Sequence, residues 1–337
     1  MTNNNLFLPF TKGNTPSATV TNSTSLTEFF LVSFFATTNN QAVVCTGVFI
    51  MYLLAVLGNL MITAAVCLVS QLHTPMYFFL CNLSVEDIVY VSTVLPKLFV
   101  TTVTGDTSIS ISSCIVQLYF FALCVTVEFV LLSFMAYDRY VAICVPLHYI
   151  LIMNKMMCIL LASSSWFFGS IVSLFLTLMV TNLRFCDVHD INHFFCDPQT
   201  MIKISCSDTT NIIMFTSIAG VLCGCCPFVL IIISYIYIIS TILKIQTSGG
   251  RSKMFSSCSS HLMVVILFCG TSISMNMKPK SEKSQKLDII LSLIYIAVVP
   301  VLNPLVYSLK NREVMKAIKK TFKTLFNYKN KTGIKNE

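Results

Sequence analysis

Residues 43–70 read VVCTGVFIMYLLAVLGNLMITAAVCLVS, a run of 28 residues that contains no Asp, Glu, Lys or Arg. A helix needs about 20 mostly apolar residues to cross the hydrocarbon core of a bilayer, so this stretch is long enough to span a membrane. A strand of a membrane β-barrel would instead alternate apolar and polar residues over about ten positions. Because the run is continuously apolar, it predicts a membrane-spanning helix.

The composition of the whole chain agrees with this interpretation. Of its 337 residues, 55% are hydrophobic and only 11% are charged, and the mean hydropathy is +0.79. Soluble domains carry about 25% charged residues, so a soluble enzyme is excluded. A disordered chain is excluded as well, because such chains are poor in Leu, Ile, Val and Phe. The composition therefore predicts an all-α membrane protein with several spans.

The number of spans follows from further stretches without charged residues. A turn-prone break at Gln71–Pro75 separates the first span from the second, since proline suits the first turn of a helix. We predict a bundle of seven transmembrane helices, with spans at residues 43–70, 76–101, 112–140, 157–181, 211–243, 254–277 and 287–309.

The distribution of Lys and Arg predicts the orientation of the bundle. With the N-terminus outside, fourteen of the 22 Lys and Arg residues fall on the inner side and eight on the outer side. An excess of basic residues marks the cytoplasmic side. The net charge of +8 therefore belongs to the inner face of the membrane, and no nucleic-acid partner is needed to explain it.

Three regions follow from this topology. Residues 1–42 form a predicted outer tail, 43–309 the bundle and 310–337 the inner segment. The sequence Asn22-Ser23-Thr24 makes Asn22 a candidate glycosylation site on the outer tail. We expect no cleavable signal peptide, because the first apolar stretch is too short for one.

The segment after the last span is amphipathic. Between Arg312 and Phe326, apolar side chains fill one arc of a helical wheel and four lysines fill the opposite arc. This pattern predicts a short helix on the inner leaflet, where anionic lipid attracts the lysines. The alternative is a solvated basic tail.

Three acidic residues lie within the predicted spans: Glu86, Asp87 and Glu128. Ionisable groups at membrane depth are costly and usually functional, although each acid could merely be hydrogen-bonded. Glu86 is turned by about 100° from Asp87 around the helix, so we expect only Asp87 to face the cavity. Two buried carboxylates are unfavourable unless one is protonated or a cation lies between them. Because oxygen ligands suit a hard cation, Asp87 and Glu128 form a candidate sodium site.

The third span carries a stripe of residues on one face. Phe121, Glu128 and Arg139 are 7 and 11 residues apart and fall within roughly 20° of one another on an α-helix. This stripe predicts a link between an outer pocket and the cytoplasmic end of the helix. A mostly apolar lining is typical of small-ligand sites. The candidate ligand-binding residues are Phe121, Ala122, Val125 and Thr126 in the third span, Cys223 in the fifth, and Ile273 and Asn276 in the sixth.

Several motifs in order along the chain resemble those of one receptor family. They are LHTPMYFFL at Leu72–Leu80, LSVED at Leu83–Asp87, MAYDRYVAIC at Met135–Cys144, the segment Lys253–Leu262, and PVLNPLVYSL at Pro300–Leu309. On these motifs the chain is identified as a member of the odorant-receptor branch of the rhodopsin-like G-protein-coupled receptors. It departs from the family pattern at Phe268-Cys269-Gly270, where Phe-Tyr-Gly is usual.

The resemblance implies an odorant receptor rather than an enzyme. Its ligand would be a small-molecule odorant, and its partner in the plasma membrane would be a heterotrimeric G protein of the stimulatory olfactory type, which raises cAMP. A receptor of the same family with a non-olfactory role is an alternative. A small-solute transporter is another, but transporters typically contain inverted repeats, and the sequence contains no visible repeat.

The resemblance also implies roles for individual residues. Asp138 and Arg139 would pair in the resting state, and Arg139 would be released to contact the G protein. Tyr235 and Tyr307 would swing inward on activation. Asp87 would share a polar network with Asn303. The same motifs contain three further candidates for coupling and activation, namely Tyr140, His261 and Pro304.

Four cysteines fall on the predicted outer side, where an oxidising environment favours disulfides. They are Cys114, Cys186, Cys196 and Cys206. Four cysteines allow three pairings, and the sequence alone does not choose between them. The resemblance implies the pairs Cys114–Cys196 and Cys186–Cys206.

Overall fold

The computed structural model describes residues 28–31, 41–186, 190–276 and 289–310. Within these ranges, six helices are each long and apolar enough to cross a membrane, and a seventh consists of two parts that meet at an angle of 46°. The prediction of a seven-helix bundle is therefore confirmed. The spanning helices are α1 (Gln41–Leu68), α2 (Pro75–Thr104), α3 (Ile111–Cys144), α4 (Lys155–Thr181), α5 (Thr210–Leu243), the bent α6 (Ser248–Asn276) and α7 (Ile289–Val306).

Two predictions fall outside the described residues. These are the glycosylation site at Asn22 and the amphipathic helix between Arg312 and Phe326. The helical backbone of α7 continues to Lys310, where the described part of the chain ends.

Local sequence signals set the ends of several helices. Pro75 occupies the first turn of α2, where a backbone N–H would have no partner within the helix. Gly105 ends α2 in the left-handed conformation, with a φ of 74°, and its N–H donates to the carbonyl of Thr101. The side chains of Ser110 and Asn154 accept backbone N–H bonds in the first turns of α3 and α4.

Two glycines allow helices to approach closely. A Cβ added at Gly169 of α4 would lie 2.8 Å from a methyl carbon of Val127 in α3, closer than packed side chains allow. A Cβ added at Gly58 of α1 would lie 2.9 Å from the ring of Pro304 in α7. Pro304 is thus part of the contact between the first and last helices.

A small three-stranded sheet covers part of the outer face, which the all-α prediction did not include. Strand β1 (Glu28–Leu31) lies between β2 (Ser108–Ser110), to which it is antiparallel, and β3 (Asp190–Ile191), to which it is parallel. The side chains of Phe29 and Leu31 are fully buried. The sheet therefore ties a segment of the outer tail to the α2–α3 loop and to the loop between α4 and α5, which we call the second outer loop.

Two disulfides hold the second outer loop. Cys196 is bonded to Cys114 at the outer end of α3, with their Cα atoms 5.5 Å apart. Cys186 is bonded to Cys206, with their Cα atoms 6.0 Å apart. Both pairs are those that the family resemblance implies. The first bond fixes the loop above the outer half of the bundle.

Candidate functional site

The outer half of α3 presents several of the predicted ligand-binding residues to the interior. Phe121 is buried, and its ring centroid lies 4.7 Å from that of Phe195 in the second outer loop and 5.7 Å from that of Tyr90 in α2. Thr126 is also buried, and its hydroxyl donates to the carbonyl of Ala122 one turn earlier, at 2.9 Å. Its hydrogen-bonding capacity is therefore partly used within the helix.

The other candidates on α3 and α5 are close to the same region. Ala122 and Val125 are half-buried and pack against apolar neighbours. Cys223 is buried within a single π-helical turn of α5, Val221–Cys225, a distortion that is frequent at functional sites. The side chains of Ile273 and Asn276 fall outside the described part of the structure, although the backbone of both is helical in α6.

The second outer loop descends into the bundle. His193, Phe194 and Phe195 are all buried, although they belong to a connecting segment. A ring nitrogen of His193 lies 3.3 Å from the hydroxyl of Ser292 in α7. The side chain of Gln117 in α3 accepts the backbone N–H of Cys196 at 2.9 Å. The loop is thus a lid that contacts both α3 and α7. A lid held by disulfides was expected from the sequence, but these contacts were not.

A continuous row of aromatic rings runs from this lid to the middle of the bundle. Successive ring centroids are 4.7, 5.7, 5.7, 5.3 and 4.5 Å apart, within the usual range for packed aromatic pairs. The row joins the outer loop to α3, α2, α7 and α6. Because its members pack directly against one another, displacement of the outer rings must disturb α6 and α7. The members of this aromatic row, in order, are Phe195, Phe121, Tyr90, Tyr295, Phe268 and Phe129.

Three buried acids meet beside the aromatic row. Glu86, Asp87 and Glu128 are each at most 2% exposed, and each offers a carboxylate oxygen within 4.8 Å of the others. The expectation that Glu86 faces away from Asp87 is therefore wrong. Helix α2 is packed against α3 on one side and α7 on the other, so two positions separated by 100° both point into the interior.

Asp87 also belongs to a polar network with α7. The side-chain amide nitrogen of Asn303 lies 3.1 and 2.9 Å from the two carboxylate oxygens of Asp87. In α1, Asn59 donates to the backbone carbonyl of Pro300 at 3.0 Å. The structure thus places Asp87 and Asn303 together and connects α1, α2 and α7 through polar side chains.

At the cytoplasmic end of α3, Asp138 and Arg139 form an ion pair. Arg139 donates to Oδ2 of Asp138 from Nε at 2.9 Å and from Nη2 at 2.5 Å. The hydroxyl of Tyr149 donates to the other oxygen, Oδ1, at 2.8 Å. Burial and the neighbouring carboxylate of Asp138 raise the pKa of Tyr149, so its hydroxyl keeps its proton and remains a donor.

Tyr149 was not among the residues predicted from the sequence. It begins a helix of four residues, Tyr149–Ile152, on the inner side of the membrane. The available signal was a tyrosine shortly after the Asp138-Arg139 pair, directly behind the turn that starts at Pro146.

Tyr235 and His261 are joined at the inner ends of α5 and α6. The hydroxyl of Tyr235 lies 2.7 Å from Nδ1 of His261, and both side chains are buried. Tyr140 is half-buried, and its ring centroid is 5.9 Å from that of Tyr237 in α5. The side chain of Tyr307 falls outside the described residues.

Comparison with known proteins identifies the family. A family profile described as "Olfactory receptor" matches residues 48–324. The chain is 46% identical over 303 residues to Olfactory receptor 1G1 from Gorilla gorilla gorilla, covering 89% of this chain and 96% of that protein. It is 42% identical over 299 residues to Olfactory receptor 13F1 from Homo sapiens, covering 89% of this chain and 94% of the relative.

A third relative, Olfactory receptor 1M1 from Homo sapiens, is 42% identical over 300 residues, covering 89% of this chain and 96% of the relative. The profile match begins within α1, continues beyond α7 and includes the lid. Proteins of this kind are odorant receptors of the membrane and are not enzymes. The chain therefore belongs to the olfactory receptor family, a branch of the rhodopsin-like G-protein-coupled receptors.

Proposed function

We propose that this receptor binds a small, mostly apolar odorant in the outer half of the bundle, beneath the lid. The bound ligand then activates a heterotrimeric G protein of the stimulatory olfactory type at the plasma membrane and raises cAMP. The observation that carries this proposal is the aromatic row, because it connects the candidate pocket at Phe121 to Phe268 of α6.

The chemistry of the candidate lining supports an apolar ligand. Phe121, Ala122 and Val125 offer apolar surface, and the hydroxyl of Thr126 is already bonded to its own helix. The thiol of Cys223 is only a weak hydrogen-bond donor. A ligand with at most a weakly polar group fits this environment, whereas burying a strongly charged group beside these residues would be costly.

Transmission to the G protein would proceed through α6. A ligand that displaces Phe121 changes the packing of Tyr90, Tyr295 and Phe268 in turn, and movement of α6 shifts His261. The bond between Tyr235 and His261 then breaks, so that Tyr235 and Tyr307 swing inward. Arg139 leaves Asp138 and meets the G protein. Each step exchanges one discrete set of contacts for another, as packed interiors require.

We also propose that Asp87 and Glu128 hold a sodium ion in the resting state. Their oxygen ligands suit a hard cation. An ion bound between α2 and α3 stabilises the arrangement of helices that binds it best, and so opposes activation.

A cAMP reporter in transfected cells tests the proposed function. Wild-type receptor is screened against a panel of odorants. Each active compound is then tested on Phe121→Ala and on a control variant, Phe120→Ala. Phe120 is the lipid-side neighbour of Phe121 and is 38% exposed. We expect Phe121→Ala to lose potency and Phe120→Ala to respond like the wild type. Uptake of radiolabelled ligand without any cAMP response would favour a transporter instead.

A further inference from the structure

Strand β1 of the outer tail connects the lid to the bundle. We propose that Phe29 and Leu31 in this strand are positioning residues of the odorant site. They hold the lid in place above Phe121, and the affinity for the odorant depends on them although they do not contact the odorant themselves. The inference rests on the proposed function and adds a segment of the outer tail to the site.

The central position of β1 in the outer sheet makes it the link. On one side it is antiparallel to β2, and the N–H of Leu31 donates to the carbonyl of Thr107, just before β2, at 2.9 Å. On the other side Leu31 lies opposite Ile191 of β3. In the described part of the chain, β3 pairs with no other strand. Among these strands, β1 alone therefore joins the lid to β2, which runs directly into α3.

The side chains of β1 fasten it as firmly as its backbone does. Phe29 and Leu31 are 0% and 1% exposed, whereas Phe30 between them is 43% exposed. The ring of Phe29 packs edge to face against that of Phe185 in the second outer loop, with centroids 5.1 Å apart. Both buried side chains belong to the same apolar cluster as Cys196. Because burial of apolar surface is favourable, this cluster holds β1 and the lid together.

The lid is consequently fixed on both sides of its buried rings. Ile191 is held by β1, and Cys196 is bonded to α3. The segment between these two points carries His193 and also Phe195, whose ring centroid is 4.7 Å from that of Phe121. If β1 is released, only one end of the segment stays fixed. The odorant must then order the lid when it binds, which lowers its affinity.

Two variants of neighbouring residues in β1 test this inference in cells. Phe29→Ala removes a buried ring, and Phe30→Ala removes the exposed ring beside it. At matched surface display, Phe29→Ala should raise the odorant concentration for a half-maximal cAMP response by about tenfold, within the usual range for coupling between separate sites. Its maximal response should not change, because the G protein binds on the opposite side of the membrane. Phe30→Ala should respond like the wild type.

The split between potency and maximal response separates positioning from stability. If Phe29 only stabilised the fold, Phe29→Ala would reduce the number of receptors at the surface. The receptors that do arrive would then respond at the same odorant concentration as the wild type. That result would overturn the inference.

A disulfide between β1 and β2 provides a rescue. Because Leu31 donates to Thr107, the adjacent pair of Phe30 and Ser108 is not hydrogen-bonded, and the Cα atoms of such a pair are about 4.5 Å apart. This spacing suits a disulfide. Phe30→Cys with Ser108→Cys, added to Phe29→Ala, should hold the strand in place and restore most of the lost potency, whereas neither cysteine alone should. Peptide mass spectrometry checks that the bond forms. A crosslinked receptor as weak as Phe29→Ala would contradict the inference.

Hydrogen exchange is the test if Phe29→Ala does not reach the cell surface. Coupling in binding is reciprocal, so a strand that strengthens odorant binding must itself be stabilised by the bound odorant. In the purified wild type, an activating odorant should slow the exchange of the backbone N–H groups of β1 and β3. Exchange that the odorant leaves unchanged in both strands would overturn the inference.

The same measurements separate this inference from the proposed function. If only the inference is wrong, an odorant activates the wild type, and Phe29→Ala and Phe30→Ala respond at the same concentration as the wild type. If the proposed function is wrong, no odorant raises cAMP in the wild type, and the inference fails with it.

Discussion

The hydroxyl of Tyr149 binds the one carboxylate oxygen of Asp138 that Arg139 leaves free. Arg139 contacts Oδ2 of Asp138 through two nitrogens, and Tyr149 donates to Oδ1 at 2.8 Å. Asp138 is fully buried, so both of its oxygens need donors. The short inner helix that begins at Tyr149 thereby holds the ion pair of Asp138 and Arg139 in place.

Removing this hydroxyl should raise basal signalling. Tyr149→Phe keeps the ring but leaves Oδ1 of Asp138 without its donor, which weakens the resting arrangement by about 1 kcal/mol. That loss shifts the balance between resting and active states about fivefold. The measurement is basal cAMP per receptor at the cell surface. Tyr137→Phe, which removes the hydroxyl of an exposed tyrosine next to Asp138 in α3, is the control. Equal basal activity in both variants would show that Tyr149 does not hold the pair.

Breaking the bond between the lid and α3 should impair delivery to the cell surface. Cys114→Ser and Cys196→Ser each remove the same disulfide, whose loss costs about 2–5 kcal/mol in small secreted domains. The two single variants and the double variant should therefore reach the surface in equally reduced amounts, as measured by antibody staining of intact cells. A double variant much worse than either single variant would mean that the two cysteines act separately.

A methyl group at Gly169 should destabilise the contact between α3 and α4. The added carbon would lie 2.8 Å from a side-chain carbon of Val127, and overpacking of this kind costs about 1–3 kcal/mol. The unfolding temperature of purified Gly169→Ala should fall, and Val127→Ala should partly restore it. Gly220→Ala is the matched control, because an added carbon there meets nothing within 4 Å. A decrease of equal size in both glycine variants would point to helix propensity or membrane insertion instead of packing.

Sodium should influence the response through Glu128. Replacing extracellular sodium with a bulky organic cation should shift the odorant dose–response curve of the wild type. The shift should be much smaller for Glu128→Gln, which lacks one anionic ligand. Calcium is kept constant, so that the comparison reports on sodium alone. If both receptors are indifferent to sodium but change potency with pH, protonation of the acids explains their burial better than a bound monovalent ion.

The seven helices were predictable because the thickness of the bilayer imposes a minimum length on each apolar run. The predicted ends differ from the observed ones by a few residues, for example at α1, which begins at Gln41 rather than at residue 43. The largest difference is in α6, whose helix begins at Ser248, six residues before the predicted span. Helices extend beyond the hydrocarbon core, and hydropathy carries no information about that extension.

The outer sheet and the burial of the lid residues were not predictable for a different reason. Strand β1 has four residues and β3 has two, too few to reveal an alternating pattern. Their pairing joins segments more than 75 residues apart in the sequence, so no local pattern reveals it. The burial of His193 and Phe195 likewise depends on where Cys196 is fixed.

The candidate site was predicted only in part. The helical repeat predicted one shared face for Phe121, Glu128 and Arg139. All three lie on the interior side of α3. Glu86 was assigned to the wrong face because a helical wheel considers one partner surface, whereas α2 is enclosed by both α3 and α7. A wheel cannot supply that information, because it depends on the packing of the whole bundle.

The most direct test of Arg139 as the residue that couples the receptor to the G protein is the cAMP response of Arg139→Ala to an odorant that activates the wild type. Dose–response curves are compared at matched surface display, with Lys155→Ala as a control that removes another basic side chain at the inner face. We expect Arg139→Ala to reach the surface, bind the odorant and produce no cAMP response, while Lys155→Ala responds like the wild type. A full response from correctly displayed Arg139→Ala would contradict this role of Arg139.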